Sequence, residues 1–194
     1  MTEKDALNRL DKKERRSLLY LARKTIEAQL ADIPLTLPPF PEIVFQRHLC
    51  VFVTLHKHGD LRGCIGTFIP NKPLYEQVCD MTVSCAFHDP RFRPLTSHEL
   101  RDVEIEISVL SPLRPIRNID EIEVGTHGIY IVQGPHGGVL LPQVATEYGW
   151  DRFTFLDQTC VKAGLCPGCW KDSSTEIYIF SAEIFSEESE GIKP

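Results

Sequence analysis

Residues 50–68, CVFVTLHKHGDLRGCIGTF, decide the fold because they encode a β-hairpin. The run at 50–55 is rich in β-branched and aromatic residues, which favour strands. His58, Gly59 and Asp60 supply a tight turn, and the chain then returns as a second strand. The two strands of a hairpin pair in opposite directions, so this stretch predicts an antiparallel sheet.

Strand and helix signals alternate along the rest of the chain. Residues 103–109 alternate apolar and polar side chains, which is the pattern of a half-buried strand. The glycine-rich stretch 134–138 marks a second hairpin. Asp11 and Glu14 form a capping-box pattern ahead of a helix that ends near residue 30. Further helices are predicted to begin at Pro73, Pro142 and Asp151. Helices mixed with hairpins predict an α+β fold.

The composition is that of a globular protein with one sizeable core. Of the 194 residues, 42% are hydrophobic and 25% are charged, which is ordinary for such a chain. We therefore predict a single domain over residues 1–194, with a division into two lobes as an open alternative. Residues 186–194 are polar and are expected to form a loose tail.

The charge and hydropathy patterns disfavour some function classes. The net charge of −6 and the pI near 5.6 disfavour nucleic acid, because phosphate binding depends on clustered Lys and Arg. No apolar run approaches the ~20 residues that span a bilayer, and the charged N-terminus lacks the apolar core of a signal peptide. These patterns predict a cytoplasmic protein that does not associate with membranes.

The first hairpin also carries the strongest candidate for chemistry. Cys64 stands in LRGCIG, residues 61–66, close to Gly63 and Gly66 and two positions after Arg62. Because the glycines lack side chains, a ligand could reach the sulfur and the adjoining amides. Arg62 would lower the thiol pKa or hold an anion, provided that the strand stays regular. The alternatives are a small buried thiol in a glycine-kinked strand and a solvated arginine.

Asp89 and Arg91 are candidate binding residues in the stretch DPRF, residues 89–92. A turn explains this stretch without a ligand, since Asp89 can accept backbone hydrogen bonds while Phe92 anchors the loop in the core. Arg91 would then remain available to an acidic partner or substrate.

Three more polar residues complete the set of candidate binding residues. Glu106 lies on the polar face of a strand, where solvation is the usual role, but it could act as a base if that face lines a cleft. His127 lies between two glycines, as turn residues do, and could instead face the Cys64 cleft. Gln143 follows a proline at a helix start and could offer its amide to a ligand, although first-turn capping would also explain it.

The seven cysteines do not suggest a disulfide framework, because their number is odd and most lie in strand or helix segments. Cys166 and Cys169 have C-x-x-C spacing, and Cys160 is a possible third sulfur. No second such pair completes a tetrahedral zinc site, so an incidental loop pair is favoured. We predict no metal and no cofactor, and a disulfide among these three cysteines stays open.

Four motifs in order resemble the AMMECR domain family, whose bacterial and archaeal members are called AmmeMemoRadiSam system protein A. They are LRGCIG at 61–66, AFHDPRF at 86–92, EIEISVLS at 104–111 and LPQVA at 141–145. The resemblance runs from the first helix to the last strand. It implies an α+β domain with a curved, barrel-like, mainly antiparallel sheet and helices packed around it. The C-x-x-C loop departs from the family pattern and inherits no role from it.

The family's name implies association with a MEMO-like protein and a radical S-adenosylmethionine enzyme. We therefore expect a cytoplasmic partner or assembly subunit of these two proteins, with Cys64 as a candidate reactive thiol and Arg62 beside it. The alternative is a stand-alone enzyme that uses Cys64 on a small anionic or peptide substrate. The sequence leaves open whether the chain is an enzyme by itself, and it does not give the oligomeric state.

Overall fold

The structure is a computed structural model that describes residues 10–36 and 42–192. The α-helices are α1 (Lys12–Ala31), α2 (Leu74–Phe87), α3 (Pro142–Glu147) and α4 (Arg152–Lys162). The strands are β1 (Val51–Lys57), β2 (Asp60–Thr67), β3 (Val103–Leu110), β4 (Arg114–Ile116), β5 (His127–Gln133), β6 (His136–Leu140) and β7 (Glu176–Ser186). Short 3-10 helices cover Ile43–Gln46, Ile119–Glu121 and Cys169–Lys171.

The chain divides into two compact units. The first comprises Met1–Val109 and Glu183–Pro194. Strand β1 lies between β2 and β3 and pairs antiparallel with both, while α2 packs on the β1–β2 hairpin and on α1. The core of this unit joins apolar residues of these elements, among them Leu18, Ala22, Ile26, Val53, Leu55, Val78, Ile105 and Ile107.

The helices of the first unit begin and end where the sequence predicts. Helix α1 has the predicted capping box: the Asp11 carboxylate accepts the Glu14 N–H at 2.8 Å, and the Glu14 carboxylate accepts the Asp11 N–H at 2.7 Å. Helix α2 follows Pro73 and ends at Phe87, shortly before Pro90, because the residue before a proline disfavours helical geometry.

The second unit, Leu110–Ala182, contains the second predicted hairpin. Strands β5 and β6 pair antiparallel around a turn at Gly134, whose φ of +57° favours glycine. Strand β7 pairs antiparallel with β5 and with β4. Helix α4 packs on β5 and β6. The core of this unit includes Ile122, Ile129, Ile131, Ala145, Phe155, Leu156, Cys160 and Ile179.

The segment after Ser186 differs from the loose polar tail that the sequence suggests. Glu187 is only 1% exposed and Glu190 is 8% exposed. The Glu187 carboxylate pairs with Arg23 of α1, and the Glu190 carboxylate pairs with Arg15 of the same helix. The polar composition was misleading because each buried carboxylate has an arginine partner far away in the sequence.

The predicted α+β fold is confirmed. The strand pairs described above are all antiparallel, and helices pack against the strands of each unit. Across residues 10–36 and 42–192, no helix has both the length and the apolar character needed to cross a membrane.

Candidate functional site around Cys64

The first hairpin places the Cys64 side chain on the sheet face that points away from helix α2. In the strand register Cys64 lies opposite Thr54 of β1, and Thr54 lies opposite Glu106 of β3. Because side chains alternate along a strand, these three residues share one face. Gly63 points to the other face, towards Cys85 of α2.

The two glycines allow close contacts with groups of the protein itself. A Cβ atom added to Gly63 would lie 2.6 Å from the carbonyl oxygen and 3.0 Å from the sulfur of Cys85. A Cβ atom added to Gly66 would lie 2.2 Å from the ring of Phe52. The groups that approach the two glycines closely are therefore a helix and a phenyl ring of the protein itself.

The Cys64 thiol is half-buried and has a defined neighbour. The Thr54 hydroxyl donates to the Cys64 sulfur at 3.4 Å. Cys85 is also close to Cys64, but burial, together with the nearby Cys64, raises the pKa of Cys85 to about 12. Of these two cysteines, Cys64 is therefore the one suited to reaction.

Asp89 and Arg91 hold the backbone of Cys64 from both sides. The Asp89 carboxylate accepts the Cys64 N–H at 2.9 Å, and Arg91 Nη2 donates to the Cys64 carbonyl oxygen at 3.0 Å. Arg91 also binds both carboxylate oxygens of Asp89, at 3.0 and 2.7 Å. The Arg91 guanidinium, followed by the Cys64 and Arg91 N–H groups, holds the pKa of Asp89 well below its usual range.

This clamp covers part of an open sheet edge. Strand β2 is the terminal strand of its sheet, so within residues 10–36 and 42–192 the outward N–H and C=O groups of Cys64 have no strand to pair with. Asp89 and Arg91 supply an acceptor and a donor in place of that strand. Side chains of the DPRF turn therefore fix the position of the Cys64 backbone.

The DPRF stretch forms the predicted turn, with one difference. Asp89 accepts the Arg91 N–H at 3.1 Å, as expected for such a turn. Phe92 does not anchor the loop in the core: it is half-buried, with the guanidinium carbons of Arg62 and Arg91 at 5.9 and 5.4 Å from its ring centre. Leu95, which is 3% exposed, fills the core position instead.

Arg62 points to a different set of partners from those of Cys64. The register shifts between Leu55 and His56, so Arg62 is an extra residue in β2 and the strand is not regular there. Its guanidinium binds Glu99 at 3.1 and 3.2 Å and the Arg93 carbonyl oxygen at 2.9 Å. Arg62, with help from Lys57 and Thr96, lowers the pKa of Glu99 to about 2. In this arrangement Arg62 is an ion-pair partner of Glu99.

The sequence that builds this site matches a known protein family. The AMMECR1 family model matches residues 19–185, which include the whole Cys64 cluster. The chain belongs to the AMMECR1 family. This confirms the resemblance inferred from the four motifs.

Relatives of this AMMECR1 chain match it over most of its length. A protein of Methanothermobacter thermautotrophicus is 44% identical over 186 residues, covering 92% of this chain and 97% of that protein. Protein TK0174 of Thermococcus kodakarensis is 42% identical over 183 residues, with coverages of 88% and 89%. The crystal structure of the uncharacterized protein PH0010 from Pyrococcus horikoshii has a TM-score of 0.82 and 39% identity, covering 90% of this chain and 92% of that one. The AMMECR1 chain and PH0010 share the same fold.

The remaining candidate residues of the AMMECR1 chain lie in three places. Glu106 shares the Cys64 face but is two strands away, so its Cα atom is about 10 Å from that of Cys64. His127 begins β5 in the second unit, where its Nδ1 accepts the Glu123 N–H at 3.1 Å, in keeping with a turn role. Gln143 lies in the first turn of α3. Its side-chain oxygen is buried and accepts no hydrogen bond from the described residues.

Sequence reasoning missed two contributors to the AMMECR1 site. Thr54 favours a strand by residue type alone, but the hairpin register places it directly across from Cys64, where its hydroxyl contacts the thiol. Glu99, which binds Arg62 and Lys57, lies in a turn region with no motif of its own. The register signal was available in the sequence, whereas the Glu99 contact depends on the tertiary fold.

Three cysteines cluster in the second unit of the AMMECR1 chain. Cys160 and Cys169 form a disulfide, and Cys166 is free and exposed. The C-x-x-C pair is therefore not bonded to itself, and the disulfide that the sequence left open involves Cys160. Among the residues that the structure describes, no group of three or more His, Cys, Asp or Glu side chains is arranged to hold a metal ion.

Proposed function

We propose that this AMMECR1 chain is a partner subunit of a MEMO-like protein and a radical S-adenosylmethionine enzyme, and that it contributes the Cys64 thiol to their joint reaction. The proposal rests on one observation: three side chains hold the half-buried Cys64 in place. Thr54 contacts its sulfur, Asp89 its N–H and Arg91 its carbonyl oxygen. The clamp fixes the backbone of the residue that carries the thiol, so the sulfur is held in one position.

The surroundings of the sulfur favour a shared reaction over a stand-alone one. A nucleophilic thiol is commonly activated by a base within hydrogen-bond reach. In the described part of the chain, the sulfur's side-chain hydrogen-bond partner is the Thr54 hydroxyl, which acts as a donor here. The proposal therefore assigns to a partner protein the group that takes a proton or hydrogen atom from Cys64.

Arg91 is the proposed contact for that partner. Its side chain is 53% exposed although it binds the buried Asp89 carboxylate. The exposed part of the guanidinium lies beside the Cys64 carbonyl oxygen. An acidic group of the partner that approaches Arg91 would bring the partner's reacting atoms to the thiol.

The test combines complex formation with cysteine reactivity. The tagged chain is co-expressed with a MEMO-like protein and a radical S-adenosylmethionine enzyme, and retained proteins are identified. The alkylation rate of each cysteine is then read by peptide mass spectrometry, with and without partners. We expect both partners to be retained and the Cys64 rate to fall about tenfold in the complex, because the partner covers the thiol. Cys166, which is exposed and in the other unit, serves as the internal control.

Two variants separate docking from chemistry. Cys64→Ser keeps the backbone clamp, so it should retain the partners but lose any thiol-dependent product. Arg91→Ala should weaken retention. If neither partner is retained by the wild-type chain, the proposed subunit role is wrong. If Cys64 alone turns over a small anionic or peptide substrate, the stand-alone enzyme replaces it.

A further inference from the structure

A second sulfur site lies around helix α4, in the unit that does not contain Cys64. Cys160 is in the last turn of α4, is fully buried, and is bonded to Cys169 with a Cα–Cα distance of 6.0 Å. Cys166, three residues before Cys169, is a free and exposed thiol. The buried end of the disulfide is therefore closed to solvent, while a third cysteine is open to it.

Cys166 and Cys169 are the two ends of one β-turn. The Cys169 N–H donates to the Cys166 carbonyl oxygen at 3.2 Å, and Gly168 has φ +83° and ψ 1°, as in a type II turn with Pro167 before it. The ends of such a turn lie less than about 7 Å apart. Disulfides form between Cα atoms about 4.4–6.8 Å apart. Cys169 is thus within bonding range of Cys160 and of Cys166.

The loop is held by contacts that do not depend on the disulfide. The Asp157 carboxylate of α4 accepts the Gly168 N–H at 2.8 Å and the Trp170 indole N–H at 2.7 Å. The Thr175 hydroxyl donates to the Cys169 carbonyl oxygen at 2.7 Å. These bonds keep the turn on the helix while the sulfur atoms change partners.

We propose that Cys160, Cys166 and Cys169 form a thiol–disulfide exchange site for external thiols and disulfides. The Cys166 thiol releases its proton to water and the thiolate attacks the Cys169 sulfur. The Cys166–Cys169 bond forms, the Cys160–Cys169 bond breaks, and the Cys160 thiolate takes up a proton. No net oxidant or reductant is consumed in this step.

The Cys166–Cys169 disulfide is the isomer that reacts with thiols in solution. A small thiolate attacks Cys166 of the Cys166–Cys169 disulfide, forming a mixed disulfide and releasing the Cys169 thiolate. A second small thiolate attacks the mixed disulfide, releasing Cys166 and one molecule of the small disulfide. The reverse sequence reoxidises the site. Cys166 is the entry residue, because Cys160 is buried and Cys169 is half-buried.

Tryptic peptides distinguish the two isomers. After free thiols are blocked, cleavage at Arg152, Lys162 and Lys171 places Cys160 on one peptide and both Cys166 and Cys169 on the next. The Cys160–Cys169 isomer links the two peptides. The Cys166–Cys169 isomer leaves the second peptide alone, lighter by its two thiol hydrogens, with Cys160 blocked. We expect the wild-type chain in a glutathione buffer to give both products.

Two variants make the test decisive. Cys160→Ala should form the Cys166–Cys169 disulfide in oxidised glutathione. Cys166→Ser should still form the Cys160–Cys169 disulfide. Reduced glutathione should reduce that disulfide about tenfold more slowly than in the wild type, because the entry thiol is missing. Equal reduction rates in the wild type and Cys166→Ser overturn the proposal. The proposal is also wrong if Cys160→Ala folds but does not form the Cys166–Cys169 disulfide. If that variant does not fold, the rate comparison decides.

Discussion

Phe52 and Gly66 form a cross-strand pair in which one residue fills the space that the other leaves empty. The two residues face each other in the β1–β2 register, and the Phe52 ring lies over the Gly66 backbone. The ring also packs edge-on against Phe68, with centres 4.9 Å apart. At this scale, the second glycine of LRGCIG is explained by packing against an aromatic ring.

Gly66→Ala should destabilise the protein by about 1–3 kcal/mol, because the new methyl group would overlap the Phe52 ring. Phe52→Leu in the same chain should recover part of that loss by making room. Urea unfolding of the two single variants and the double variant measures the coupling between them. Strictly additive losses would show that the ring and the glycine do not interact.

Strand β2 shows why an element can be predicted when its side-chain directions cannot. The alternation of apolar residues and the turn at 58–60 give the hairpin itself, and the α+β class follows from such local patterns. The bulge at Arg62 depends on how β2 registers against β1: the glycines of LRGCIG suggest a kinked strand but do not show which residue is the extra one. Because of this single extra residue, the Arg62 guanidinium does not act on the Cys64 thiol. It binds Glu99 instead.

Long-range partners set a second limit on prediction. The buried state of Glu187 depends on Arg23, which lies 164 residues earlier in the chain. A polar C-terminal stretch looks like a loose tail when that partner is unknown. Similarly, C-x-x-C spacing drew attention to Cys166 and Cys169, whereas the backbone of α4 brings Cys160 to Cys169. In both cases the sequence shows the residue but not the neighbour that determines its state.

Glu187→Gln should destabilise the first unit by about 3 kcal/mol, because it leaves the Arg23 side chain, only 11% exposed, without its counter-charge. Arg23 also donates to the carbonyl oxygens of Leu100 and Val103, so its misplacement would affect the start of β3. Glu188→Gln is the matched control: the neighbouring glutamate is exposed, and the same change there should alter the free energy of unfolding by less than about 0.5 kcal/mol. Similar losses in both variants would contradict the buried ion pair.

The molecule as a whole should lose stability in acid through two carboxylates of the first unit. The folded-state pKa values of Asp89 and Glu99 are both lowered, that of Glu99 to about 2. In the unfolded chain these groups titrate near pH 4, so their stabilising contribution is complete above about pH 4. It is lost as the pH falls from about 4 through the folded-state values.

Urea unfolding at neutral pH and between about pH 4 and pH 2 measures this loss. Asp89→Asn should lower stability at neutral pH by about 2 kcal/mol, because the charged acceptor of the Cys64 N–H and of Arg91 is gone. The double variant Asp89→Asn/Glu99→Gln should also flatten the dependence of stability on pH. If the free energy of unfolding of the double variant depends on pH as steeply as that of the wild type, other groups cause the loss of stability in acid.

The side-chain clamp on β2 also bears on how copies of the molecule meet. Cys64 lies on a terminal strand, and the groups that satisfy its outward amide and carbonyl belong to an ion pair rather than to another strand. An incoming strand from a neighbouring molecule must first displace Asp89 and Arg91. Protonation of Asp89 would weaken its bonds to Arg91 and to the Cys64 N–H, so the edge would template intermolecular β-pairing more readily. Acid would then favour ordered aggregation, starting at the strand that carries the thiol.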